Sequence, residues 1–404
     1  MRTHILALVL AALPAASFAN GYSVPNVNPR DLGLSGSAVA AQRDAAAVFA
    51  NPAALARLDE GLQVAAVAAA LDIGMTWNAP VGPADASTKL HLAPPGGAFV
   101  AYGTTIRGNR AGFGAGFITP FGGNVYWDEG WQGRFRVTTV DRKVYGMYLN
   151  GAFQAGPYLR LGGGLVYYRT TEYLRQGVDF TGREGWVEVS ASGGAPSFQV
   201  ALEAQPVEAV RLAFTYKHQG VQNLKGDAAF HGVPDEIRPS LPDQSVRHSL
   251  TIPSVLDVAA AWQARPDLLV TFTYSFDRYS VYHEDRFVGS AGTEVLVPRN
   301  YGDGYTLRAG AEYRLSPAIE LRAGAERDVS GMKSSTFSPS LPDASSWAGA
   351  VGATWRVRPN MTLDAAFFMA VMDRVTASGS AFAGTYDIRA EIFSLGLTWR
   401  PALR

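Results

Sequence analysis

Charged side chains recur at alternate positions late in this sequence. Arg308, Glu312 and Arg314 share one parity of a strand-like run, and Glu320, Arg322 and Glu326 share one parity of the next. Opposite charges placed across neighbouring strands pair and stiffen a wall. A cation without such a partner can instead meet the carboxylate of a ligand. We read the set around 308–326 as the first kind, an ion-pair network that also holds an internal segment. Arg169 and Arg175 follow an earlier run and are candidates for the second kind. Bond-making chemistry is not legible. No Gly-x-Ser-x-Gly elbow and no HExxH helix occur, and His218, His231, His248 and His283 lack a metal-ligand spacing. Gly302-Asp303-Gly304 lacks the third glycine and the helix of a nucleotide loop. The expectation is a protein that is not an enzyme and needs no cofactor or metal.

The elements that position these residues follow from composition. Arg2 and His4, the apolar run Ile5 to Leu13, the break at Pro14 and the small residues Ser17 and Ala19 spell a secretory signal peptide over 1–19. No later stretch holds 18 consecutive apolar residues, so a membrane-spanning form must use strands closed into a barrel. Charged residues make up 17% of the chain, below the roughly 25% of an average soluble domain. No cysteine is present, so an exported form gets no help from disulfides. The balance of 35 basic and 35 acidic residues excludes a nucleic-acid partner that would need a basic excess.

Most of the chain after Gly61 alternates with period two. In Val210 to Lys217, the residues Val210, Leu212, Phe214 and Tyr216 share one face, while Arg211, Ala213, Thr215 and Lys217 share the other. Runs of about ten residues suit tilted transmembrane strands. Tyr216, Tyr274, Tyr305 and Trp399 sit near strand ends, where an interfacial girdle belongs. Short turns such as Arg107-Gly108 and Arg265-Pro266-Asp267 alternate with long polar connections such as 219–252 and 280–300. The expectation is an all-β fold: a 14-stranded antiparallel transmembrane β-barrel over residues 61–404. Its strands are expected near 61–73, 96–107, 110–119, 136–155, 157–172, 196–205, 208–218, 253–264, 267–279, 301–315, 317–328, 345–358, 360–374 and 385–400. An even count leaves both ends on the periplasmic side. Residues 20–60 show no strand period but carry Val24, Leu32, Leu34, Val48, Phe49 and Leu55. A lumen this wide is not filled by wall side chains alone, so this segment is expected to fold inside as a hatch.

The run Asp44 to Leu55, with Asn51-Pro52-Ala53 at its centre, resembles the N-terminal hatch signature of the FadL/TodX family of outer-membrane transporters. Leu32 to Ala38, the loop motifs Pro239 to Asp243 and Pro339 to Asp343, the run Leu250 to Trp262 and the last strand Phe393 to Arg400 are similar to parts of the same family. The resemblance covers the whole chain. It implies an outer-membrane protein, exported with signal cleavage near Ala19 and inserted by the barrel-assembly machinery. It also implies uptake of a hydrophobic small molecule, a long-chain fatty acid or a hydrocarbon, which leaves sideways into outer-membrane lipid through a gap in the wall. The family's gap lies at a kink in its third strand. Here that strand holds Thr119-Pro120-Phe121-Gly122, where Pro cannot donate to the ladder and Gly bends without a side chain to seal the bend. The family also keeps the mature N-terminus in the lumen, so Tyr22 and Val24, alternate residues that point the same way when extended, are expected to line the ligand site. One departure is the tail Pro401 to Arg404, since the family usually ends on an aromatic residue. A general aqueous porin is the main alternative, and a surface enzyme or adhesin a further one; a porin has no use for an internal hatch.

Overall fold

In the computed structural model, residues 23–24, 27–341, 343–377 and 382–401 are described. Residues 1–22, which hold the expected signal peptide and Tyr22, and the tail 402–404 lie outside them. Numbered along the chain, fourteen strands build a closed antiparallel wall. They are β1 (Gly61–Asn78), β3 (Gly96–Ile106), β4 (Asn109–Tyr126), β5 (Thr139–Gln154), β6 (Leu159–Asp179), β7 (Glu184–Val207), β8 (Val210–Lys217), β11 (Val255–Arg265), β12 (Leu268–Asp277), β15 (Gly304–Arg314), β16 (Ile319–Val329), β17 (Ser346–Arg358), β18 (Met361–Met372) and β20 (Gly384–Trp399). The ends meet where β1 pairs β20, from Val64 opposite Trp399 to Asn78 opposite Thr385. Closure pairs the spanning strands with one another, which is how a barrel satisfies its backbone in lipid.

Alternation sets the two faces. On β6, Leu165 and Tyr167 point outward at 67% and 45% exposure, while Val166 and Tyr168 between them are buried. Phe113, Phe117, Met147, Leu149 and Phe198 extend this apolar outer belt. The short turn Arg107-Gly108, both residues at positive φ, joins β3 to β4, a geometry that matches the twist of a hairpin. Among the described residues no helix is long and apolar enough to cross a membrane.

Above the belt the wall grows taller than the sequence indicated. The expected sixth strand began at 196, but β7 starts at Glu184 and pairs β6 along its whole length. Small residues such as Ser190, Ser192, Gly193 and Gly194 conceal the alternation there. Two connections read as loops carry strands of their own: β9 (Gly220–His231) with β10 (Gln244–Ile252), and β13 (Glu284–Gly289) with β14 (Glu294–Pro298). The short pieces β2 (Asp85–Ser87) and β19 (Val375–Ala377) complete the set.

The segment before β1 is packed against the inside of this wall. The helical turn Pro29–Leu32 rests on β17, β18 and β20, the 3-10 turn Val39–Ala41 on β8, β11 and β12, and the 3-10 turn Pro52–Arg57 on β3 to β7. Anchorage is therefore spread around the circumference. Leu32, Leu34, Val48 and Leu55 are at most 1% exposed, and each such burial contributes about 1.5–3 kcal/mol at most. The wall makes room with glycines. A β-carbon at Gly112 would overlap the Leu55 carbonyl, and one at Gly162 the Ala53 nitrogen.

Candidate functional site

The expected kink is a bulge within a strand that continues. Ile118 of β4 opposes Gly146 of β5, but Phe121 opposes Val144, so Thr119 and Pro120 share the space across from Tyr145. The strand was expected to end at 119, and instead it runs on through Gly122 to Tyr126. Its other neighbour stops: β3 pairs β4 only up to Gly97 opposite Ile118. Beyond that point the edge of β4 is covered by Ser23–Val24, the tip of the internal segment as described. Ser23 bridges Phe121, and the Val24 N–H donates to the Pro120 carbonyl at 2.9 Å. Further up, the Lys89 N–H donates to the Tyr126 carbonyl at 2.7 Å.

A cavity of about 160 Å³ opens against this junction. One wall is apolar: Val24, Phe121, Tyr148, Leu71, Phe368 and Ile392, from the tip and from β4, β5, β1, β18 and β20. Phe49 of the internal segment meets Tyr148 edge-on at 5.4 Å. The opposite wall, from β8, β11, β12, β15 and β16, is charged, with Lys217, Asp257, Asp277, Arg308, Glu326 and Asp328. Lys217 lies 3.6 Å from Asp257 and 5.0 Å above the Phe49 ring. Arg308 pairs with Glu326 at 3.1 Å.

Of the residues expected to line a ligand site, the structure brings Val24 together with Pro120 and Phe121 on this cavity. Gly122 is buried beside them, where a β-carbon would crowd the Arg142 carbonyl. Tyr22 lies outside the described residues. Arg169 and Arg175 are not brought to the cavity. Both continue the outward parity of Leu165 and Tyr167, so strand alternation turns them away from the lumen. Arg169 donates to Ser192 at 2.9 Å, and Arg175 pairs with Glu129 and Glu188 beside the Trp186 ring. The sequence reading missed Tyr148, Lys217, Asp257 and Asp277 as cavity residues. Strand parity was the signal available for all four, because each shares the face opposite the lipid-facing side chains of its own strand.

Asn51-Pro52-Ala53 lies at the other end of the internal segment. Asn51 is fully buried and extended at φ −155°. Its Oδ1 accepts from the Ala53 N–H at 3.1 Å, capping the turn that Pro52 starts. Its Nδ2 donates to the Val39 carbonyl at 3.0 Å and to Glu203 of β7 at 3.1 Å. Wall carboxylates hold arginines of the segment nearby. Glu203 accepts from Arg57 at 3.0 Å, and Glu312 accepts from Arg30 at 3.0 Å, from Arg43 at 3.2 Å and from Arg322 of β16 at 2.8 Å. Glu312 and Arg322 thus join a cross-strand network that reaches into the internal segment.

A second buried polar group ties the outer strands together. His248 of β10 faces Glu172 of β6 through Nδ1 at 3.0 Å and Asp285 of β13 through Nε2 at 3.1 Å. Asp285 also accepts from Arg299 at 2.7 Å and from the Tyr282 hydroxyl at 2.7 Å, while Glu172 accepts from Arg142 at 2.6 Å. With an acceptor at each nitrogen the ring is an imidazolium. Burial alone would push its pKa down, but the two carboxylates outweigh burial and raise it to about 9. Among the described residues no group of His, Cys, Asp and Glu is set to hold a metal ion.

The chain and its fold have counterparts in known proteins. Residues 10–400 match the family model described as outer membrane protein transport protein (OMPP1/FadL/TodX). The structure resembles that of a Pseudomonas aeruginosa FadL homologue, with a TM-score of 0.86 at 20% identity over 94% of this chain and 99% of that one. It also resembles the Pseudomonas putida toluene transporter TodX, with a TM-score of 0.75 at 14% identity over 95% of this chain and 100% of that one. A 47 kDa outer membrane protein of Pasteurella multocida is 23% identical over 152 residues, which span 37% of this chain and 35% of that protein. With the family model matched over nearly the whole length, the chain belongs to the OMPP1/FadL/TodX family of outer-membrane transport proteins.

Proposed function

We propose that this protein takes up small hydrophobic compounds, fatty acids or hydrocarbons, and releases them sideways into outer-membrane lipid at the bulge in β4. One observation carries the reading: the cavity abuts the place where β4 has lost its β3 partner and where, among the described residues, the tip Ser23-Val24 covers the bulge. Apolar side chains line that side of the cavity, as a ligand without polar groups requires. A tip held by few bonds is a closure that can part at modest cost, whereas a paired strand cannot. The relatives agree in kind, since one solved structure is a toluene transporter. Val24 and, beyond the described residues, Tyr22 are the tip side chains we assign to ligand contact.

The test exploits the absence of cysteine. Ser23 and Phe121 form an antiparallel bridge, so Ser23→Cys with Phe121→Cys places two thiols within disulfide reach. Oxidation should staple the tip to the wall. Uptake of labelled toluene or dodecanoate by cells carrying the variant should fall several-fold and return on reduction. Full uptake through a completely cross-linked protein would overturn the sideways route.

A further inference from the structure

Resting on the hydrophobic-compound reading and deciding within it against fatty acids, we infer that the cavity is built for an amphiphile whose head donates hydrogen bonds and carries no negative charge, such as a long-chain alcohol or amine. The inference comes from the two unlike walls. Tail contacts lie on the side of β4, β5 and β20, and every charged side chain of the wall strands that line the cavity lies on the side of β8 to β16. A ligand with a polar head would therefore lie with its head against the charged wall and its tail toward the bulge.

Charge on the head side is lopsided. Asp31, Asp257, Asp277, Glu326 and Asp328 line the cavity, against Lys217 and Arg308. Both cations are already engaged, Lys217 by Asp257 and Arg308 by Glu326. A carboxylate head would meet excess negative charge in a poorly hydrated site, where such repulsion is least screened.

An independent observation points to a missing donor. Asp277 is 4% exposed and lines the cavity, yet its carboxylate makes no hydrogen bond or close ion pair with a described residue. Its neighbour Asp257 shows the contrast: it accepts from Ser275 at 2.6 Å and from Thr215 at 2.8 Å. The Ser35 hydroxyl, 1% exposed on the same cavity, is also without a partner. Buried polar groups are ordinarily satisfied. An alcohol or an ammonium would donate to Asp277, and the ammonium also to the carboxylates beside it.

The experiment measures equilibrium binding of radiolabelled dodecan-1-ol, dodecylamine, dodecane and dodecanoate to the full chain in phosphatidylcholine nanodiscs at about pH 7, with empty discs subtracted. The alcohol and the amine should each bind at least about tenfold tighter than dodecanoate, and tighter than dodecane, as one added charge-assisted hydrogen bond allows. Asp277→Asn keeps an acceptor but removes the charge. It should weaken dodecylamine about tenfold and leave dodecan-1-ol within about threefold. Dodecanoate binding as well as the alcohol, dodecane matching both polar ligands, or an unchanged amine affinity in Asp277→Asn would each overturn the inference. Failure of all four to bind would overturn the hydrophobic-compound reading itself.

Discussion

Asn51 reaches from the internal segment to Glu203 of β7 through a 3.1 Å hydrogen bond, and both residues are fully buried. The same side chain caps the turn starting at Pro52. Asn51→Ala therefore strips one turn of its cap and Glu203 of one donor. The local cost should be about 1–3 kcal/mol. Limited proteolysis and hydrogen exchange should show faster opening of 40–58. The closed ladder does not pass through Asn51, so heat-modifiable migration of the barrel on gels should persist. Uptake should suffer more than barrel stability, and more still with Pro52→Ala added.

Glu312 gathers Arg30, Arg43 and Arg322 around one carboxylate. The three arginines are not equivalent. Arg30 is 6% exposed in its side chain and Arg43 is 36% exposed. Glu312→Gln strands a buried guanidinium and should destabilise the segment by about 3–5 kcal/mol. Arg43→Ala should cost less, because Arg43 is itself partly exposed and its pairs with Glu312 and Glu320 are partly screened. Chemical unfolding followed by protease protection of residues 30–58 separates the two.

The outer strands should loosen in alkali. His248 titrates near 6.5 when unfolded and near 9 in place. Its charged form is thus favoured by the folded structure. The stabilisation is complete below about pH 6.5 and is lost as pH rises through about 9. Glu172, Asp285, Arg142, Arg299 and Tyr282 surround it. Hydrogen exchange in β9, β10 and β13 should quicken between about pH 7 and 10. His248→Gln should be less protected at about pH 6 and should lack the alkaline step. A parent protein with flat protection across that range would contradict the imidazolium assignment.

Gly162 lies against the backbone of Pro52 and Ala53. Gly162→Val keeps a strand-compatible residue but adds a side chain where the internal segment rests. The segment, not the wall, should give way. Planar-bilayer recordings should then show larger and more frequent current steps than the parent protein. Conductance equal to the parent in a folded variant would mean the segment shifts without unblocking the lumen.

Val24 is 7% exposed and lines the cavity, while its tie to Pro120 uses only backbone. Val24→Ser should leave the tip seated and weaken a hydrophobic ligand several-fold, through lost apolar contact. Equal affinity would remove this side chain from the site.

The wall was legible in the sequence because lipid outside and water or protein inside impose opposite demands on successive residues. Val210 to Lys217 displays that conflict on its face, and β8 has those bounds. Above the lipid the demand relaxes. Ser190 to Gly194 carries no apolar alternation, so the lower part of β7 was read and its upper part was not. The bulge was legible at Pro120, because a residue without an N–H cannot sit in a continuous ladder. Its covering by Ser23 and Val24 was not, since pairing across nearly a hundred residues leaves no local mark. Arg169 and Arg175 were misplaced for a simpler reason. Charge was weighed without parity, and Tyr167 already fixed odd positions of β6 outward.

Nearly every sheet that is not closed carries a raw flank that can recruit a stranger's strand. β4 presents such a flank from Thr119 to Tyr126, and the molecule dresses it with Ser23 and Val24 at the bulge and with Lys89 at its upper end. Lifting the dressing leaves the Pro120 carbonyl without its donor, while the proline nitrogen has no N–H to leave unpaired. Whatever parts the tip from the wall also bares a template for association. The proposed sideways release would therefore be set against resistance to clumping at one spot.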